Sequence, residues 1–245
     1  MLFLLGSGRD VDKLPRLPDP ATDTAWPTYG GNAAGNRYSP LNQIDTQNVG
    51  TLQPAWTFDT GENSPGESGM DIQCQPIVVG GTLYGTTPRL KLFAVDATTG
   101  RLRWKFDPFA DPAKKPRFHP MRGVAYWEDG DRNGGGTALR PDKRILYSAG
   151  PTLYAIDAMT GKPVTSFGKN GEVDLHEGLG DKETLGYDVA DFSIRSTTPG
   201  VIYNDLLIMG SSVSEGGDAP PGNIRAFNVR TGKLAWTFRT IPLPG

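Results

Sequence analysis

The sequence predicts an all-β fold assembled from repeated four-stranded antiparallel units, on three observations. A strand–turn–strand unit is written three times, as LFAVDATTGRLRW (92–104), LYAIDAMTGKPVTSF (153–167) and IRAFNVRTGKLAWTF (224–238). A second hairpin stands upstream of each copy. The composition, with 32 glycines and 21 prolines in 245 residues, suits many tight turns and argues against a helical bundle.

In each repeat the first segment (LFAV, LYAI, IRAF) carries apolar and aromatic residues in the pattern of a half-buried strand. A polar turn follows, DATTG, DAMTG or NVRTG. Its Asp or Asn accepts local backbone hydrogen bonds, and Gly100, Gly161 or Gly232 supplies the positive φ. The second strand begins RLRWKF, KPVTSF or KLAWTF; Trp104 and Trp236 stand four residues after the Gly, where the middle copy has Thr165, so that unit packs differently. The upstream hairpins are PIVVGGTLYGTT (76–87), turning at Gly80-Gly81, and GVIYNDLLIMGSS (200–212), turning at Asn204-Asp205. GVAYWEDGDRNGGGTALRPDKRILYSAG (123–150) is the same hairpin with a long polar insert. Four short strands per unit is the size of one propeller blade. One such sheet cannot bury both of its faces alone, and stacking on neighbours buries them. A β-sandwich with coincidental similarity is the competing architecture. TLQPAWTFDTG (51–61) adds a Trp-bearing strand with no hairpin before it, as expected of an outer strand that closes a ring.

The formal charge of −2, with 25 basic and 27 acidic side chains, offers no basic stripe for nucleic acid and no acidic tail. One cysteine, Cys74, excludes an internal disulfide and reads as a small packed hydrophobe. No apolar run reaches the ~18 residues of a membrane span. Residues 1–23 read as a leader stump or linker: MLFLL is too short for a signal-peptide core, and a polar spacer follows it. Residues 24–245 are then a partial propeller, with the closing strand near 51–60 and blades near 70–108, 122–168 and 194–240.

WPTYGGNAAGNRYSPLNQIDTQNVGTLQPAWTF (26–58), RGVAYW (122–127), LFAVDATTGRLRWKFDP and TTPGVIYNDLLIMGSSVSEG (197–216) resemble, in the same order, the quinoprotein dehydrogenases, the PQQ-dependent alcohol and sugar dehydrogenases. The Asp-x-x-Thr-Gly-x-x-x-Trp repeat alone is less specific, because non-enzymatic propellers share it. The resemblance implies an eight-bladed propeller of four-stranded blades with pyrroloquinoline quinone (PQQ) in its funnel beside Ca²⁺. This chain would hold about three of those blades plus the closing strand.

The resemblance also implies roles for particular residues. Glu215 matches the carboxylate ligand of Ca²⁺, and Ser212, Val213 and Ser214 match the stretch lining the cofactor. Arg122 matches an arginine that pairs with cofactor oxygens, a planar bidentate task that suits guanidinium. Gln73 falls where many relatives have Glu facing the cofactor, and Thr197, in a register shared with Thr198, matches a hydroxyl donor. Alcohol-oxidising members stack PQQ on a disulfide just before the motif arginine. Here RFHPMRG has no cysteine, and His119 is the expected cofactor-facing residue, an exposed loop histidine being the alternative. His176, the other histidine, reads as a surface residue. The D-x-D-x-N-G run of 129–134 has Arg140 where a calcium loop needs Glu, and reads as a charged hairpin tip.

The functional expectation is a periplasmic, PQQ- and calcium-dependent dehydrogenase that oxidises a sugar or other alcohol by hydride transfer to the quinone. Its electrons would pass to an acceptor such as a c-type cytochrome or a membrane quinone. The alternative is a non-enzymatic propeller serving as scaffold or binding module. The family's catalytic Asp and the Asn ligand of Ca²⁺ belong to later blades. No catalytic residue is therefore expected in these 245 residues, and the chain alone is expected to be inactive.

Overall fold

The computed structural model describes residues 25–62, 71–130, 142–214 and 219–241. Among them lie three four-stranded antiparallel sheets, each with its strands in sequence order. The first is β1 (Ile77–Val79), β2 (Thr82–Thr86), β3 (Leu92–Asp96) and β4 (Leu102–Phe106). The second is β5 (Ala125–Glu128), β6 (Lys143–Ala149), β7 (Thr152–Asp157) and β8 (Glu172–Asp174), and the third is β9 (Val201–Tyr203), β10 (Leu206–Met209), β11 (Ile224–Asn228) and β12 (Leu234–Phe238). One short helix, α1 (Lys182–Leu185), lies between the second and third sheets. No described helix is long and apolar enough to cross a membrane.

The repeated turn is built identically three times. The Oδ1 of Asp96 accepts the amides of Thr98 and Thr99 and the Thr99 hydroxyl. Asp157 does the same for Met159 and Thr160, and Asn228 for Arg230 and Thr231. Each turn ends on a glycine with φ between +70° and +74°. Arg103, 2.7 Å from Asp96, together with Thr99, holds that carboxyl down at about 2.

The sheets stack face to face, and the middle one is covered on both sides. Ile145, Tyr147, Tyr154 and Ile156 join Ile77, Tyr84, Leu92 and Ala94 in the core between the first two sheets. Leu146, Leu153 and Ala155 point the other way and meet Leu207, Met209 and Phe227. The period-2 alternation of a strand thus serves two cores at once, which is why β6 and β7 read as almost unbroken apolar runs. The far side of the third sheet is open, with Val201, Tyr203, Trp236 and Phe238 all exposed.

Tryptophans fasten the seams. A Cβ on Gly161 would stand 2.6 Å from Trp104 Cδ2, and the Trp104 Nε1–H donates to the Ala158 carbonyl (3.0 Å). Trp56 treats Gly100 and the Ala97 carbonyl in the same way. Between the second and third sheets, polar groups do this work: Arg144 donates to the Val229 and Arg230 carbonyls, and Arg230 pairs with Asp129 and Asp205.

One expectation needs correction. KPVTSF does not form the outer strand of the second sheet; β8 lies at Glu172–Asp174. Ala155 accepts from the Val164 amide and donates to the Gly171 carbonyl, so the outer strand is split and the residues between leave the sheet. Gly168 and Val173 then take the place at Gly232 that a tryptophan takes at Gly100 and Gly161. Ahead of the first sheet, Val49–Thr51 is a 3-10 turn, and residues 52–60, expected to pair with a blade that is not among these residues, lie beside no described strand. Trp56 nevertheless seats as an outer-strand tryptophan does. The calcium-like run lies in part outside the described residues.

Candidate functional site

The lead-ins to the first strand of each sheet meet at one place. The Gln75 amide donates to the Arg122 carbonyl (2.9 Å), and the Arg122 amide donates to the Thr197 carbonyl (2.9 Å). Arg122 and Thr197, two of the residues expected from sequence to face one ligand, are thereby tied together through their backbones; Gln73 lies two residues before Gln75 and lines the smaller cleft described below. Ser212 joins them from the end of β10: its amide donates to the Arg195 carbonyl (2.7 Å), two residues before Thr197. Ser148 Oγ braces the same segment by donating to the Ser196 carbonyl (2.9 Å). The N-terminal segment packs alongside, with the Gly30 amide donating to Gln75 Oε1 and Tyr29 lying against Gly123.

Arg122 is exposed, and its guanidinium has no hydrogen-bond or ion-pair partner among the described residues. A charged fork held at a backbone junction and left unpaired is suited to an anionic, oxygen-rich group.

His119 stands between two clefts. One, of about 220 Å³, is lined by Gln73, Thr86, Thr87, Phe118, His119 and Met121, among others. The other, of about 390 Å³, includes Arg117, His119, His176, Asp191, Phe192 and Arg195. The Gly150 amide donates to His119 Nε2 (3.0 Å), which leaves the proton on Nδ1, 3.0 Å from the Pro120 carbonyl. Burial pushes the imidazole pKa below its usual value, and the Arg195 charge pushes the same way. His119 is therefore a fixed, neutral wall rather than a free loop side chain.

Neither cleft is lined by Arg122, Thr197, Ser212, Val213 or Ser214. Backbone bonds bring Arg122, Thr197 and Ser212 to one junction without closing them around one volume. Glu215, the expected calcium ligand, lies outside the described residues, and no group of three or more metal-ligating side chains occurs among those described.

His176 corrects another expectation. Its ring is largely buried, with Nδ1 2.6 Å from Asp174 Oδ1 and Nε2 3.0 Å from the Phe192 carbonyl. It pins the segment after α1 to the second sheet. Arg117, Arg195 and His176 line the larger cleft and were not assigned to the site from sequence; the local hints were RFH at 117–119 and the place of Arg195 two residues before Thr197. Cys74 is half-buried, accepts a hydrogen bond from the Thr86 amide (3.3 Å), and has its thiol pKa raised by burial.

The family described as PQQ: Glucose/ethanol/alcohol dehydrogenase, beta-propeller domain, matches residues 26–244. The quinoprotein glucose dehydrogenase A of Acinetobacter calcoaceticus is 34% identical over 92% of this chain and 30% of that protein. The quinate/shikimate dehydrogenase (quinone) of Acinetobacter baylyi is 33% identical over 93% of this chain and 29% of that protein. Among solved structures, the quinohemoprotein alcohol dehydrogenase of Comamonas testosteroni superposes with a TM-score of 0.65 at 28% identity, covering 89% of this chain and 28% of that one. The chain thus spans under a third of the length of these relatives.

Proposed function

Because the chain belongs to the PQQ-dependent quinoprotein dehydrogenase family, we propose that it contributes cofactor-facing blades to an enzyme that oxidises a sugar or other alcohol. The observation that carries this reading is the backbone junction of Gln75, Arg122 and Thr197, at which the Arg122 guanidinium has no partner among the described residues.

The donor set fits a planar tricarboxylate. Arg122 supplies a bidentate cation, Gln73 an amide, and Thr197 and Ser212 hydroxyls, while His119 presents a neutral ring. Among the described residues, arginines outnumber carboxylates around the junction and the larger cleft, which favours an anionic guest. When bound, the quinone supplies a two-electron acceptor for the hydrogen leaving the substrate carbon, with Ca²⁺ polarising its carbonyl. Glu215 is the proposed Ca²⁺ ligand, on sequence resemblance. The roles of this chain's residues are to bind and orient the cofactor; we assign none of them a proton transfer. A periplasmic location, and a c-type cytochrome or membrane quinone as electron acceptor, belong to the same proposal.

Titration with PQQ, followed by tryptophan fluorescence and equilibrium dialysis, tests the reading. Arg122→Ala removes a charge-assisted pair worth about 1.5–3 kcal/mol, so its Kd should rise by about 10- to 100-fold. A protein that binds no PQQ, with or without Ca²⁺, leaves the scaffold or binding-module reading in its place.

A further inference from the structure

We propose that Arg225 is a positioning residue that sets the Ser211–Ser214 stretch against the wall of the larger cleft. The proposal rests on the reading of that stretch as cofactor-lining.

Arg225 lies on β11 and is fully buried. One guanidinium nitrogen donates to the carbonyls of Leu175 and Glu177, which belong to the segment following β8. The other donates to Ser211 Oγ (2.6 Å). The Nε–H has no partner among the described residues, and the guanidinium carbon lies 5.5 Å from the Phe227 ring. All the groups that receive its hydrogen bonds are neutral. Burial accordingly pulls its pKa down to about 10, against the opposing pull of Glu177 and Asp174 at longer range.

A buried cation without a contacting carboxylate is a poor device for stability, and an aliphatic side chain of similar volume would serve a seam between sheets at least as well. What an aliphatic residue lacks is direction. A planar fork fixes the separation of two backbone carbonyls and a hydroxyl simultaneously. The two carbonyls flank His176, which lines the larger cleft with His119 and Arg195. Ser211 immediately precedes Ser212, whose amide bonds to the Arg195 carbonyl. One side chain therefore spans the seam between second and third sheets and holds the cleft wall and the Ser-rich stretch in register.

The test is made on the protein as its native reading frame produces it, with PQQ as the probe and Kd measured well below the melting temperature. Ser211→Ala keeps Arg225 and its carbonyl bonds, and removes only the link to the stretch. It should raise the PQQ Kd by about 3- to 10-fold, the equivalent of one hydrogen bond, and Ser211→Thr, which keeps a hydroxyl, should restore binding. Arg225→Lys should weaken binding too, and the double variant should be no weaker than the weaker single one. If wild-type protein binds PQQ and Ser211→Ala binds equally well, or Ser211→Thr is as weak as Ser211→Ala, Arg225 is only a structural pin and the proposal fails while the cofactor reading stands. If the wild type binds no PQQ, both fall.

Discussion

Placing a methyl group on Gly161 separates two costs that usually come together. Gly161 has φ +71° and Gly80 has φ +54°, so alanine at either position meets the left-handed penalty of about 1–2 kcal/mol. Their surroundings differ. A Cβ on Gly80 meets nothing within 4 Å. A Cβ on Gly161 stands 2.6, 2.7 and 2.9 Å from three carbons of the Trp104 indole. Carbon atoms pack at about 3.5–4.0 Å, so the indole must retreat by about 1 Å. Overpacking of that kind adds about 1–3 kcal/mol. The retreat also strains the 3.0 Å bond from Trp104 to the Ala158 carbonyl, worth about 1 kcal/mol. Gly80→Ala should then cost about 1–2 kcal/mol and Gly161→Ala about 2–5 kcal/mol, read as shifts of the urea midpoint at constant m. Trp104→Ala supplies the control. It should cost about 3–5 kcal/mol alone and distinctly less in the Gly161→Ala background, because truncating the indole there also relieves the clash. Equal costs at Gly80 and Gly161, or additivity of Gly161→Ala with Trp104→Ala to within about 0.5 kcal/mol, would refute the claim that the indole is seated on the glycine.

Two further outcomes follow from buried polar groups. The Tyr147 hydroxyl is fully buried with no hydrogen-bond partner among the described residues, and burial drives its pKa well up, so Tyr147→Phe should be neutral or raise stability by up to about 1 kcal/mol in urea unfolding. His119 has its folded pKa below the unfolded value of about 6.5, so the native state binds fewer protons than the unfolded one. Its stabilising share is complete above about pH 6.5 and is lost as pH falls through the folded value. Stability measured from pH 7 to pH 5 should therefore fall less steeply in His119→Gln, whose amide oxygen can still accept from Gly150 but does not titrate; parallel curves would count against a neutral His119.

The parts of the fold that sequence made legible are those whose bonds close within a few residues. Asp96, Asp157 and Asn228 each bond to amides two and three residues ahead, so the turn is written where it forms. The stacking that buries both faces of a sheet was legible in the repetition itself, but LYAI, read as a half-buried strand, is buried at all four positions because it serves two cores. The split outer strand of the second sheet was hidden for the opposite reason. Pairing Ala155 with both Val164 and Gly171 is a choice made across an excursion, and no short window of sequence records it.

The site divides along the same line. Arg122 and Thr197 lie in family motifs, and the backbone bond between them joins positions far apart in the chain. His119 was visible as a histidine near an arginine, but its neutrality depends on the amide of Gly150, supplied by the turn between β6 and β7. Arg225 carried no local mark, because its partners at Leu175, Glu177 and Ser211 come from two other segments. A residue whose bonds all run across a seam responds to how the sheets are stacked, whereas a turn residue responds only to its own turn. Substitutions at Asn228 and Arg225, on the same strand, should therefore part company. Loss of the Asn228 side chain would loosen one turn, and loss of Arg225 would shift the third sheet's Ser-rich end relative to the second.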